Sequence, residues 1–432
     1  MKNKSVKFEL AVIGAGYVGL DLSLAFSKKK TLICYDIDAQ RVKQLKKGID
    51  INQQYKKNEI INSNLVFTND DNLIKNLNYY IVTVPTPITK SKKPDLSMLK
   101  KSSKLLGKLI KKGSTIVYES TTFPGCTEEV CIPIIEYYSK LKFNKDFKIA
   151  YSPERVNPGD KINIIKTITK IVGANDNKTL INVKKLYQNI CHSIYTVSSI
   201  KVAESAKVIE NIQRDINIAL VNELSILFNK LEIPTNEVLK AASTKWNFHY
   251  YKPGLVGGHC ISIDPYYLAY KAKQNNYLPK IILSGRKLNE SMGSYVTKQI
   301  LRLAKKYKLN FTKLKIAVLG FTFKENIPDT RNTKIIQIID YLKKKNVKFD
   351  IFDPIVNKED VKKKYKVSIK SEINHTKKYD IIILSVSHKV FLKKISFYNK
   401  FYKNHKKKIF IDLKNNYSLN DMKKNNYIYF QL

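Results

Sequence analysis

The segment Phe8-Glu-Leu-Ala-Val-Ile13-Gly14-Ala-Gly16-Tyr17-Val18-Gly19 decides the fold. A short apolar run enters a glycine triplet spaced GxGxxG, and residues 17 to 28 continue with helical periodicity. A second strand-like run spans Thr31 to Tyr35, and Asp36 stands at its end. Strand, glycine turn, helix, strand and acid in that order form the dinucleotide-binding fingerprint. Gly14 permits the tight turn, Gly16 lets the backbone approach a pyrophosphate, and Gly19 packs helix on sheet. The helix N-terminal amides of Tyr17 and Val18 then face phosphate. Asp36 can accept from both ribose hydroxyls and would repel a 2′-phosphate, so NAD is expected over NADP. Arg41, five residues on, is a candidate for the adenine or the phosphates.

Downstream, strand-like runs recur at Leu65–Thr68, Tyr79–Val84, Thr115–Glu119, Lys148–Tyr151, Ile168–Val172 and Ile194–Val197, with helical stretches between most of them. This alternation predicts a mostly parallel, doubly wound sheet whose ligands bind beyond the carboxyl ends of its strands. Three polar, proline-bearing turns sit at such ends. They are Thr83-Val-Pro85-Thr86-Pro87, Glu119-Ser-Thr-Thr122-Phe-Pro124-Gly125 and the loop from Tyr151 through Glu154 and Arg155 to Gly159.

From Ser198 to Phe228 the pattern is helical without Pro or Gly. Ser198 or Ser199 offers an N-cap, and thirty residues at 1.5 Å each give about 45 Å, enough to bridge domains. Lys207 and Asn211 are four apart and project from one face, where an ammonium and an amide can hold a developing oxyanion. An aromatic, basic loop containing Trp246 and Tyr251 leads to Leu255-Val-Gly257-Gly-His-Cys260-Ile-Ser-Ile-Asp264-Pro265. Taken alone, a cysteine in a turn is most often a buried structural thiol. Beside a glycine pair and an acid four residues on, Cys260 also reads as an activated nucleophile. A second α/β unit follows, with strands at Lys315–Gly320, Val347–Phe352, Tyr379–Ser385 and Lys408–Asp412 and a helix over 333 to 345. Its first loop carries Phe323, Lys324 and Arg331, suited to an anionic ligand. The expected architecture is α/β: two Rossmann-like doubly wound domains joined by a long central helix, divided at 1–197, 198–308 and 309–432.

Bulk composition narrows the function classes. The 432 residues are 43% apolar, and no uninterrupted apolar run is long enough for a membrane span. The basic N-terminus enters a glycine motif and not a cleavage site, so it does not read as a signal peptide. Five scattered cysteines without metal-ligand spacing fit free thiols in a reducing cytoplasm, with no metal site. The net charge of +42 attracts polyanions. Yet the lysines run through the whole chain without the clustering that marks a nucleic-acid interface.

Read together, Gly14–Gly19 with Asp36 and Arg41, Thr83–Pro87, Ser120–Pro124, Ser152–Glu154, Lys207 with Asn211, Gly257–Asp264 and Phe323–Arg331 resemble the UDP-glucose/GDP-mannose dehydrogenase family over nearly the whole chain. Within it, Thr244-Lys-Trp-Asn-Phe-His, the Gly-Gly-His-Cys turn and Asp264-Pro-Tyr-Tyr-Leu268 look most like the UDP-N-acetylhexosamine 6-dehydrogenases of surface polysaccharide synthesis, acting on the N-acetylglucosamine or N-acetylgalactosamine sugar. The UDP-glucose branch, the alternative, typically has lysine where this chain has Ile263.

The resemblance implies a four-electron, NAD-dependent oxidation of C6 to a carboxylate through a thiohemiacetal and a thioester on Cys260. Lys207 and Asn211 would hold the C6 oxygen, and Asp264, Thr122 and Glu154 would relay protons. The cofactor would meet Gly14 to Gly19, Asp36, Arg41, Thr83, Pro85, Thr86, Thr122 and Arg331. The UDP-sugar would meet Glu154, Arg155, Lys207, Asn211, Tyr251, Gly257, Phe323 and Lys324. A homodimer through the long helix is also implied. A two-electron hydroxyacid-type dehydrogenase would share the Rossmann unit, long helix and lysine, but would have no need of Cys260. One departure stands out: relatives often carry an arginine before the cysteine turn, whereas this chain has none between Arg214 and Arg286. Lys245, His249 and Lys252 are the nearby cations, and none reproduces a guanidinium fork.

Overall fold

The computed structural model describes residues 8–156, 160, 162–374, 376–403 and 406–432; the end of the Tyr151–Gly159 loop and the basic N-terminus lie outside them. The chain forms two compact units, residues 1–211 with 266–278, and residues 212–265 with 279–432.

The first unit is built on eight strands: β1 Leu10–Ile13, β2 Leu32–Tyr35, β3 Leu65–Thr68, β4 Tyr79–Val82, β5 Thr115–Tyr118, β6 Lys148–Tyr151, β7 Thr169–Ala174 and β8 Ser193–Val197. They lie in the order β3-β2-β1-β4-β5-β6-β7-β8. Every pairing is parallel except β6 with β7. The parallel strands explain the short apolar runs of the sequence: β1, β2 and β5 are buried at every position because helices cover both faces. On one face Leu10, Val12, Phe26, Ile81 and Val117 pack together, and on the other Ala15, Leu20, Cys34, Val42 and Leu45. The strand order reverses direction between β1 and β4. That crevice is where a doubly wound sheet binds its ligand.

The second unit carries β9 Lys315–Leu319, β10 Lys348–Phe352, β11 Ile369–Lys370, β12 Ile381–Leu384, β13 Lys408–Asp412 and β14 Tyr427–Gln431. Their order is β11-β10-β9-β12-β13-β14, parallel throughout. Four of these six are the strands expected from sequence. The two edge strands are additions: β11 is only two residues long, and β14 is a short run of five with Tyr427 and Phe430 buried.

The long helix is real, continuous over Ile200–Lys230, and Ser199 caps it by accepting from the Val202 amide at 3.2 Å. The residues following the cysteine turn enter helix at Asp264, whose carboxylate stands in the first turn.

Candidate active site

At the β1–β4 crevice the glycine turn and Thr83 are fitted to each other. Gly14 adopts a φ of 102°, in the region that favours glycine, and the Thr83 hydroxyl donates to the carbonyls of Ile13 and Gly14 at 3.0 and 2.9 Å. A Cβ on Gly19 would lie 1.7 Å from the Gly14 oxygen and 2.5 Å from Thr83 Oγ1, so helix and turn touch backbone to backbone. A Cβ on Gly16, by contrast, would meet nothing within 4 Å. Gly16 is exposed at the start of the helix Tyr17–Ser27, and open space before helix amides suits a pyrophosphate.

Asp36 is anchored first to protein: Oδ2 accepts from the Ala15 amide at 2.7 Å and Oδ1 from the Asp38 amide at 2.9 Å. A carboxylate has about four lone-pair sites, so two bonds leave it able to accept from ribose. Arg41 is buried; its Nε donates to the Ala15 carbonyl at 3.0 Å and Nη2 to Asp50 at 2.9 Å. It buttresses the turn from below, while Nη1 has no hydrogen-bond partner among the described residues. These groups fit a dinucleotide.

On the same rim, Thr86 donates to the Thr121 carbonyl at 2.6 Å, joining the Pro85 turn to the loop holding buried Thr122. The Thr122 loop is held from behind by two buried carboxylates. Glu204, from the long helix, accepts from the amides of Gly125 and Thr127 at 2.5 and 3.0 Å and from the Thr127 hydroxyl at 2.6 Å. Burial pushes Glu204 up to about 7, against those hydrogen bonds. Glu119 pairs with Lys170 at 2.6 Å, both side chains fully buried, and also accepts from Tyr187. Burial likewise lifts Glu119 to about 7, although Lys170 opposes it.

Lys207 and Asn211 are both nearly buried, and Lys207 Nζ donates to the Glu154 carbonyl. Glu154 Oε2 is buried without a hydrogen-bond partner among the described residues, a state native proteins usually reserve for functional groups or bound water. Arg155 is occupied, with its Nε 2.8 Å from Glu210 and Nη1 on the Thr169 carbonyl at 2.6 Å.

In the second unit, the cysteine turn is clamped by the loop after β9. A Cβ on Gly257 would lie 2.8 Å from the Asn332 carbonyl. Gly258 has a φ of 82°, and its missing Cβ makes room for the Phe323 ring, 2.8 Å from where that atom would stand. Asn332 donates to the Gly258 carbonyl at 3.1 Å, as does Ser262 at 2.7 Å. The Cys260 carbonyl accepts from the amides of Ile263 and Asp264 at 3.0 and 2.9 Å. Cys260 is therefore held on a rigid turn. The other four cysteines are buried, and Cys260 alone of the five is partly exposed.

Two histidines and two acids complete this unit without having been assigned from sequence. His259 Nδ1 lies 3.1 Å from Cys260 Sγ, and its Nε2 is 3.9 Å from Asp329. Arg331 grips Asp329 with Nε and Nη2, the shortest contact 2.6 Å. Burial would raise the Asp329 carboxyl, but the guanidinium outweighs it and holds the group below its ordinary value. Behind Phe323, Asp353 accepts from the amides of Phe321 and Thr322. His388 Nδ1 accepts from the Asn326 amide at 2.9 Å, so its Nε2 carries the proton and faces Asp353 at 3.0 Å. Asp353 follows β10 as Asp36 follows β2, a parallel that no glycine motif advertises. Tyr251 donates to Gln213 at 3.0 Å. A cleft at the carboxyl ends of β9, β12 and β13 is lined by Gly257, Phe323, Lys334, Ser385, Leu413 and Lys414.

A dinucleotide turn in one α/β unit and a clamped, accessible thiol beside a basic cleft in the other define a two-unit nucleotide-binding dehydrogenase. The chain belongs to the UDP-glucose/GDP-mannose dehydrogenase family, whose NAD binding, central and UDP binding domains match residues 8–191, 201–291 and 317–418. It is 47% identical over 385 residues to a UDP-N-acetyl-D-glucosamine 6-dehydrogenase of Salmonella typhi, covering 89% of this chain and 90% of that one. A protein of the same name from Pseudomonas aeruginosa is also 47% identical, with 89% and 91% covered. Among solved structures, the UDP-D-ManNAc dehydrogenase of Pyrococcus horikoshii superposes with a TM-score of 0.88 at 26% identity, covering 98% of this chain and 99% of that one. NAD is accordingly the cofactor, as Asp36 implies, and the α/β architecture is the one expected.

Proposed function

We propose that the protein oxidises C6 of a UDP-N-acetylhexosamine, with UDP-N-acetylglucosamine the first candidate, to the uronic acid in two successive oxidations through a thioester on Cys260. The observation that carries this reading is the contrast among the cysteines: four are buried, whereas Cys260 is partly exposed on a turn clamped by Phe323 and Asn332. Buried thiols are inert, and an accessible one on a fixed turn is what a covalent intermediate requires. NAD, when bound at the Gly14–Gly19 turn, supplies the hydride acceptor. In this reading Lys207 and Asn211 stabilise the C6 oxygen as its charge develops. Asp264, Thr122 and Glu154 handle water and protons. The cleft beside Phe323 and Lys414 takes the uridine diphosphate, with Lys324 contributing charge.

Assembly through the long helix is part of the same reading. Val202, Ile209, Leu220 and Leu227 are all substantially exposed and recur every seven or eleven residues. At 3.6 residues per turn that spacing makes one apolar stripe. No helix among the described residues is long and apolar enough to cross a membrane. Five free thiols suit a reducing, cytoplasmic setting. The product would feed the surface-polysaccharide use that the resemblance implies.

The test is an NADH assay across UDP-glucose, UDP-N-acetylglucosamine, UDP-N-acetylgalactosamine and GDP-mannose. The expected result is two NADH per UDP-N-acetylhexosamine, with turnover abolished in Cys260→Ala. One NADH per sugar, or full activity in the variant, would refute the thioester route. GDP-mannose as best substrate would refute the substrate assignment.

A further inference from the structure

The two ring nitrogens of His259 face two different groups. Nδ1 lies 3.1 Å from Cys260 Sγ, within sulfur hydrogen-bond range, and Nε2 lies 3.9 Å from Asp329 Oδ2. The second distance is too long for a hydrogen bond but close enough for the carboxylate to favour a positive ring. The Asp329 side chain is 6% exposed and that of His259 25%, so water screens this attraction only in part. Arg331 fixes the carboxylate from the far side through both oxygens, at 3.0 Å from Nε and 2.6 Å from Nη2. Phe323 packs against the ring, centroids 5.9 Å apart, and so limits its rotation. The arrangement Cys–His–Asp, with the acid held by an arginine, is assembled from two segments about seventy residues apart.

We propose that His259 is the proton acceptor for the Cys260 thiol, with Asp329 a positioning residue that stabilises the imidazolium and Arg331 the group that orients Asp329. The proposal rests on the reading of Cys260 as nucleophile. A free thiol with its pKa near 8.5 is only a few per cent thiolate at neutral pH, and a paired histidine removes that handicap. For Nδ1 to accept, the neutral ring must carry its proton on Nε2, the nitrogen nearer the carboxylate.

The Sγ proton passes to Nδ1, and the sulfur pair forms the C–S bond to the C6 aldehyde. The carbonyl π pair moves onto oxygen as an alkoxide. Later, when water adds to the thioester, the C–S bond breaks, its electron pair returns to sulfur, and Nδ1 gives the proton back. The adding water's own proton goes to solvent.

The test measures alkylation of Cys260 by iodoacetamide against pH, followed by mass spectrometry of its peptide, in wild type, His259→Gln and Asp329→Asn. The four buried cysteines provide the unreactive background. In wild type the rate should level off with a midpoint below about 8.5, the free-cysteine value. His259→Gln should raise that midpoint by about one pH unit or more and lower kcat at least ~100-fold, the low end for general acid–base catalysis. NAD affinity should stay unchanged. Asp329→Asn should raise the midpoint in the same direction. A wild-type midpoint at or above the free value would overturn the proposal even if both variants failed to fold. So would wild-type turnover in His259→Gln. If Cys260→Ala is inactive while His259→Gln is fully active, only this proposal falls. If Cys260→Ala still yields two NADH per sugar, the covalent reading falls first.

Discussion

Replacing Gly19 by alanine puts the new Cβ 1.7 Å from the Gly14 oxygen, 2.5 Å from Thr83 Oγ1 and 2.9 Å from the Gly14 carbon. Ordinary contact lies near 3.5–4 Å, so the helix Tyr17–Ser27 must retreat or the turn must open. Overpacking against yielding side chains costs about 1–3 kcal/mol, and an obstacle that is backbone belongs at the upper end. A loss of about 3 kcal/mol corresponds to a midpoint shift of roughly 6–12 °C, taking 2–4 °C per kcal/mol for a domain of 150–250 residues. Gly16→Ala is the control. Its Cβ meets nothing within 4 Å, and Gly16 already has an ordinary φ of −77°, so thermal stability should change by less than about 1 kcal/mol. Its methyl nevertheless enters the space where backbone and pyrophosphate must approach, so NAD affinity should fall at least tenfold. Calorimetric melting with NAD titration separates the two effects. Wild-type melting in Gly19→Ala, or wild-type NAD affinity in Gly16→Ala, would refute this account of the turn.

Lys170→Met leaves Glu119 buried and unpaired, which should cost about 3–5 kcal/mol in urea unfolding; a loss under 1 kcal/mol would show the pair to be dispensable. Glu204 is raised to about 7 when folded, against roughly 4.3 unfolded. Its protonated form therefore stabilises the fold below about pH 4.3, and that contribution is lost as pH rises through 7. Glu204→Gln cannot ionise, so between pH 5 and 7 wild-type stability should fall relative to the variant by up to about 1.4 kcal/mol per pH unit; parallel curves would argue against the assignment. If the proposed dimer forms through the long helix's apolar stripe, Leu220→Glu with Leu227→Glu should lower the mass by light scattering to that of a monomer, and an unchanged mass would exclude this face.

What sequence determined by itself is whatever depends on neighbours along the chain. The GxGxxG spacing between strand and helix marks a dinucleotide turn because its three glycines answer local demands of turn, approach and packing. The uninterrupted helical periodicity after Ser198 matches the helix Ile200–Lys230 for the same reason. Lys207 and Asn211 share a face by helical arithmetic alone, and both prove nearly buried. Short parallel strands are legible because covering both faces demands unbroken apolar runs; β14 is a run of only five residues at the sheet edge, with two of them buried.

Tertiary structure decided which charges meet. Asp36 and Arg41 read from sequence as ligands to a nucleotide, and in the structure each also holds Ala15, from the amide and the carbonyl side. Arg331 reads from sequence as a cation suited to an anionic ligand, and the structure adds that its Nε and Nη2 bond Asp329. Glu204 carries no signal in sequence and Glu119 only its place at the head of a polar turn, yet both fasten the loop of Thr122. His259 stood in plain view beside Cys260, but adjacency along a chain does not say where a ring points. Only the packing of Phe323 and the arrival of Asp329 orient it. Contacts of that kind depend on how distant segments fold back on each other, which no periodicity records.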